Sequence, residues 1–163
     1  MKGEFIMEHH ERYGLAKVLL GTLLVLTSYP IGAAAQNDDP SYTEPFPPFR
    51  IAGSLYYVGS KGLAIYLITT PEGHILINSG FEANVPMIRD SAEKLGFRFN
   101  DIKIVLISHA HDDHTAASAV IKRMTGAKYM VMDGDVPVVE SGGKNDFFYG
   151  STPAAFYPPI KAC

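Results

Sequence analysis

Two hydrophobic periods alternate along this chain, and each change of period marks a new element. Three short apolar runs, residues 55–58, 64–68 and 74–78, are rich in β-branched and aromatic side chains and predict strands. Gly59-Ser60-Lys61-Gly62 and Pro71-Glu72-Gly73 lie between them and supply turn chemistry, so the three read as an antiparallel meander. Val85, Ile88, Ala92 and Leu95 then recur at helical spacing, and Gly96 stops the run. Residues 102–107 are apolar except Lys103, as expected of a central strand covered on both faces. A second helix is predicted over 115–125 with Gly126 as its stop, then a strand over 129–132. A short helix over 135–141 precedes a tail rich in glycine, proline and aromatic residues. A meander followed by strand–helix–strand units makes an α/β fold whose sheet needs helices on its outer face.

The first 48 residues follow neither period. Lys2, Arg12 and Lys17 precede the apolar run 18–26, and Ala33-Ala34-Ala35 follows Pro30. A basic start, a short apolar core and a small-residue site are the layout of a secretory signal peptide, read here as residues 1–35 with cleavage before Gln36. The apolar core is shorter than the roughly 20 residues that span a bilayer, so no stable membrane anchor is expected. The destination is periplasmic or secreted. Residues 36–48, rich in Asp, Pro and Ser, read as an exposed arm, and residues 49–163 as the folded part. The 163-residue length suits one domain, and a net charge of −3 supplies no basic footprint for nucleic acid. The one cysteine, Cys163, permits no intrachain disulfide.

The chemistry lies in His109-Ala110-His111-Asp112-Asp113-His114, directly after the strand predicted over 102–107. Neutral imidazoles and a carboxylate are zinc ligands. In an extended segment, His109 and His111 project to the same side and suit one metal ion. Asp113 and His114 lie across the following turn, where they can face a second ion. A pair of metals about 3.5–4 Å apart can stabilise both the nucleophile and the leaving group of a hydrolysis. Asp112 reads as a solvated loop residue and His74 as an exposed strand-edge residue. Asn78, Ser79 and Gly80 either line the site floor or serve only as a turn. Residues 141–144 lack P-loop spacing and read as a flexible turn. No histidine follows His114.

The H-x-H-x-D-H pattern behind an apolar strand, with Ile75-Leu76-Ile77-Asn78-Ser79-Gly80 upstream, resembles the metallo-β-lactamase superfamily. Residues 45–53, Tyr56-Tyr57-Val58-Gly59, Ser108 and residues 139–147 narrow the resemblance to the subclass B3 metallo-β-lactamases. The resemblance implies an αβ/βα sandwich, of which this chain is the N-terminal half, and hydrolysis of β-lactam antibiotics. It implies two zinc ions, His109 and His111 serving the first, Asp113 and His114 the second, with Asp113 also catalytic. In the subclass whose second site uses cysteine, an arginine usually stands where His114 is. The family takes one further histidine for each zinc from its C-terminal half, which these residues do not contain. Ala117 replaces a common glycine, and residues 151–163 depart from the family pattern. The expectation is therefore an inactive, poorly soluble N-terminal portion of a zinc β-lactamase. The alternatives are another hydrolase of the superfamily, such as a thioesterase or lactonase, and a non-catalytic metal-binding fragment.

Overall fold

The computed structural model describes residues 39–163, so the signal-peptide reading and the first residues of the arm lie outside the described part. Six strands form one sheet in chain order: β1 (Phe49–Ala52), β2 (Leu55–Tyr57), β3 (Tyr66–Ile68), β4 (His74–Ile77), β5 (Ile102–Leu106) and β6 (Lys128–Met130). The expected meander is present: β2, β3 and β4 pair antiparallel, and β4, β5 and β6 pair parallel. The parallel steps are made through helices, α1 (Val85–Lys94) and then the pair α2 (Asp112–Thr115) and α3 (Ser118–Thr125). A short α4 (Val136–Ser141) follows β6.

Strand register explains where the core sits. Tyr56, Leu67, Leu76, Val105 and Tyr129 stand opposite one another across five strands. All but Tyr56 are fully buried, packed with Val85, Ile88 and Ala92 of α1 and Ile121 of α3. Alternation turns the neighbouring rows to the opposite face. One of those rows is Tyr57, Tyr66, Ile77, Leu106 and Met130, and the other holds Leu55, Ile68, Ile75 and Ile104. These apolar side chains are only half-buried or exposed among the described residues. Helices thus cover one face of the sheet; among the described residues the second face is apolar and open, with Ile104 half-buried and Leu106 exposed, so the strand expected to be covered on both faces is covered on one.

Four further readings change. Strand β1, not anticipated, pairs along the outer edge of β2, where Phe49 stacks on Tyr57 at 5.5 Å and Phe46 meets Tyr57 edge-on at 5.7 Å. The helix expected over 115–125 breaks in two, because the Ala117 amide donates to the Gly80 carbonyl at 2.9 Å instead of continuing the ladder of α2. His74 is buried rather than exposed: it shares the helix-covered face with Leu76, and its ring meets Phe97 edge-on at 5.4 Å. Residues 141–144 form a fixed turn. Gly142 caps α4 at φ 69°, and a β-carbon there would strike the Tyr157 carbonyl. The arm is mostly exposed but pinned, with the Ser41 and Tyr42 carbonyls accepting from Gly62 N and Asn84 Nδ2 at 2.8 Å.

Candidate metal centre

Strand β5 delivers the hexapeptide to the sheet's C-terminal edge, and a switch from extended to helical backbone distributes its side chains. His111 is extended, with φ −77° and ψ 152°, and the next residue begins α2. His109 and His111 therefore flank Ala110, which points into the core at 3% exposure. Asp113 and His114 fall on the first turn of α2 and swing back over the same point. Asp112 opens that helix rather than lying in a loop.

The result is a compact donor set. One ligand atom from each of His109, His111 and Asp113 lies within 4.8 Å of the others. The His114 Nε2 stands 3.3 Å from Asp113 Oδ2, and the His114 ring centroid is 4.1 Å from that of His109. All four residues singled out from the sequence thus meet in one place. Burial pushes the His114 imidazole below its ordinary pKa of 6.5; Asp113 opposes this, and His109 and His111 add to it. The ring is held in the neutral form that a metal requires. Its Nδ1 is buried with no hydrogen-bond partner among the described residues. Ser108 Oγ lies 3.3 Å from His109 Nδ1, leaving Nε2 of that ring for the site.

Beneath the loop, side chains from distant parts of the chain set its shape. Asn78, at φ 63°, accepts from Ser108 N and from Ser108 Oγ, both at 3.0 Å, and donates to the Ala64 carbonyl at 3.3 Å. Ser79 donates to the His114 carbonyl through its amide at 2.8 Å and its hydroxyl at 3.1 Å. Asn78 and Ser79 therefore support the loop from below. Ser79, Ser118, Thr115 and Tyr129 continue as a chain of buried hydroxyls, the last link being 2.6 Å.

Burial raises the Tyr129 phenol to about 12, against the lowering effect of its hydroxyl partners, and burial also raises Tyr157. Because the folded pKa lies above the unfolded value of 10.0, the neutral-phenol stabilisation is complete below pH 10 and is lost as pH rises towards 12. The expected loss from Tyr129 is on the order of 2–3 kcal/mol. Urea midpoints measured across that range, with phenolate absorbance recorded in parallel, check it. A midpoint that stays flat while the phenolate appears would contradict the burial argument.

Three groups at the site had no role in the sequence reading. The Tyr157 hydroxyl donates to the Ala110 carbonyl at 2.6 Å, so the chain's last segment grips the loop. Tyr149 meets the His111 ring edge-on at 5.0 Å, and Asp146 Oδ2 lies 3.5 Å from His111 Nε2. Locally Asp146 reads only as a turn aspartate, its side chain accepting from the Phe148 and Tyr149 amides. The contact with His111 spans 35 positions of sequence and leaves no local trace. Two open grooves flank the donor set. One, of about 250 Å³, is lined by Tyr42, His111, Asp113 and Tyr149, and the other, of about 450 Å³, by His109, Asp135, Asn145 and Phe147. Among the described residues no helix is long and apolar enough to cross a membrane.

A family model described as the metallo-beta-lactamase superfamily matches residues 62–161. The match runs through most of residues 151–163, which the sequence reading had set apart from the family. In the structure that segment is anchored, with Tyr157 and Ile160 buried. Among solved structures, the chain is similar to the native FEZ-1 metallo-beta-lactamase from Legionella gormanii, at 61% identity and a TM-score of 0.72. That match covers 73% of this chain and 45% of that one. The metallo-beta-lactamase GOB-18 from Elizabethkingia meningoseptica matches at 42% identity and a TM-score of 0.75, over 80% of this chain and 48% of that one. The class B3 di-zinc metallo-beta-lactamase LRA-12 from an Alaskan soil metagenome matches at 43% identity and a TM-score of 0.73, over 77% and 47%. The chain thus spans less than half the length of these relatives.

Proposed function

This chain belongs to the metallo-beta-lactamase superfamily, and from that premise we propose that it supplies the N-terminal zinc ligands of a periplasmic enzyme that opens β-lactam rings. The observation that carries the reading is the convergence of His109, His111 and Asp113 within 4.8 Å, beside His114. The donor set fits zinc: three imidazole rings, that of His114 with its pKa lowered by burial, and a carboxylate. His109 and His111 hold one ion, and Asp113 and His114 a second. Zinc, when bound, supplies Lewis acidity and brings the pKa of water down to about 7.

The chain's own groups do the rest of the positioning. Ser108 fixes the His109 ring, and the serine and asparagine braces keep the loop at the sheet edge. Asp113, which lines the smaller groove, accepts a hydrogen bond from the attacking water and aims it at the lactam carbonyl. Tyr42 and Tyr149 wall one side of the approach and Phe147 the other. Phe147 is 97% exposed, placed to meet an apolar substituent of a small-molecule substrate. The signal-peptide pattern of residues 1–35 supports export. The described residues offer two ligands per ion rather than three and leave an apolar sheet face open, so the chain by itself binds zinc weakly, associates, and turns over no β-lactam.

The test joins this chain to the remaining C-terminal length of the Legionella gormanii relative and assays it beside the 163-residue chain. Zinc-dependent opening of a cephalosporin or carbapenem by the joined protein, with none by the chain alone, is the expected result. A joined protein that cleaves thioesters or lactones but no β-lactam would place the chain with another hydrolase of the superfamily. Turnover by the 163 residues alone would overturn the account of their inactivity.

A further inference from the structure

We propose that the Asn84 carboxamide is a latch on the N-terminal arm, and that by holding Tyr42 in place it sets the width of the smaller groove and so the size of substrate substituent admitted there. The inference rests on the enzyme reading given above and adds to it a positioning residue outside the metal loop.

Alone, the arm has little to hold its shape. Its one helical turn is three residues of 3-10 helix, Pro40–Tyr42, opened by Asp39, whose Oδ1 accepts from Ser41 N at 2.9 Å. An isolated turn of that length is not stable in water, so partners elsewhere in the fold fix its place. Gly62 N donates to the Ser41 carbonyl at 2.8 Å, and Lys61 N to the Glu44 carbonyl at 3.0 Å. Lys61 also pairs with Glu44, but an exposed pair of that kind contributes little. A further tie comes from the interior. Asn84 is 1% exposed, and its Nδ2 donates to the Tyr42 carbonyl at 2.8 Å across 42 positions of sequence.

Asparagine before a helix ordinarily spends its side chain on the helix N-terminus. Asn84 directly precedes α1 yet makes no such bond. Its Oδ1 instead accepts from Phe81 N at 2.8 Å, which leaves Nδ2 for the arm. A carboxamide carries acceptor and donors on one plane, so it ties the turn and the arm at once. Its seat adjoins the site floor: a β-carbon on Gly80 would come within 2.6 Å of Asn84 Oδ1, and the neighbouring Ser79 holds the His114 carbonyl. At the other end of the tie, the Tyr42 ring lies 6.2 Å from that of Phe81 and lines the groove of about 250 Å³ with His111 and Tyr149. Ligand pockets commonly enclose about 300–1,000 Å³. With the arm latched, the groove therefore suits a compact apolar substituent, and a bulkier one needs the arm released.

Two variants release the arm by different means. Asn84→Ala removes the donor. Gly62→Ala leaves Asn84 intact but drives a β-carbon against Ser41 Oγ and to 2.7 Å from Tyr42 Cδ1. In the 163-residue chain, amide hydrogen exchange at Lys61 reports the arm, and exchange at Ile107, which donates to the Met130 carbonyl, reports the core. Both variants are expected to speed exchange at Lys61 about 10-fold and leave Ile107 unchanged. No change at Lys61, or an equal rise at Ile107, would overturn the latch. In the protein joined to the Legionella gormanii C-terminal length, steady-state kinetics then compare two cephalosporins differing only in a compact or a bulky acyl substituent. Both variants are expected to move the ratio of KM values several-fold in favour of the bulky one, with kcat near that of the parent. In a joined chain begun at Glu44, which lacks Tyr42, Asn84→Ala should add no further shift. An unchanged KM ratio would overturn the arm's part in selection. A joined protein that opens no β-lactam would overturn the enzyme reading, while exchange at Lys61 still decides the latch.

Discussion

Replacing His109 and His111 together by alanine is expected to lower zinc uptake by the chain more than about 100-fold. Loss of a group behind a ligand already costs about 10–100-fold in affinity, and this change removes two donors outright. Asp113 and His114 would remain, with a carboxylate oxygen and a ring nitrogen 3.3 Å apart. Of the four donors that converge in the parent, only this pair is left to hold an ion. Equilibrium dialysis against zinc near neutral pH reads the effect directly. The double variant should also keep the fold, since both rings lie at the loop surface and the buried residue between them, Ala110, is untouched. Equal zinc uptake by parent and double variant would remove the site from consideration.

The second large effect is expected at a residue that touches no ligand. Asn78→Ala should destabilise the chain by about 3 kcal/mol. Asparagine tolerates the left-handed backbone it adopts here, whereas alanine pays roughly 1–2 kcal/mol for it. The substitution also leaves the Ser108 amide and the Ala64 carbonyl without their partner, and each net hydrogen bond contributes about 1 kcal/mol. Asn78→Gly accepts the positive φ but restores no hydrogen bond, so it should recover only the conformational part. Urea midpoints of the three proteins separate the two contributions. Because Ser108 also meets the His109 ring, both variants should weaken zinc binding as the loop loses its brace. An alanine variant as stable as the parent would show that the turn, not the side chain, sets this corner.

The same residue illustrates how much of the site was legible in advance. Asn78-Ser79-Gly80 after an apolar strand is recognisable as a turn, and a place near the site floor could be suspected from its position. What the pattern could not supply is the identity of the group being braced. Ser108 lies 30 positions away and becomes a neighbour only because β4 and β5 pair in parallel with Ile77 opposite Leu106. Asp146 is the stronger case. It sits in a stretch that resembles the family, yet nothing local distinguishes it from other turn aspartates. His74 shows the converse error, since a turn before it suggested exposure while strand parity placed it with Leu76 against the helices.

By itself, the sequence determined the meander, the α1 helix with its glycine stop, the central strand, and the four candidate ligands. Each of these is written in short-range order: a period of two or of 3.6, a residue with special backbone freedom, or ligand types a few positions apart. The tertiary structure alone decided the edge strand β1, the break before α3, the burial of His74, and the grip of Asp146, Tyr149 and Tyr157 on the loop. Those outcomes depend on which carbonyl or ring meets a group across tens of residues. Sheet register and helix packing bring such groups together, and no local propensity encodes that.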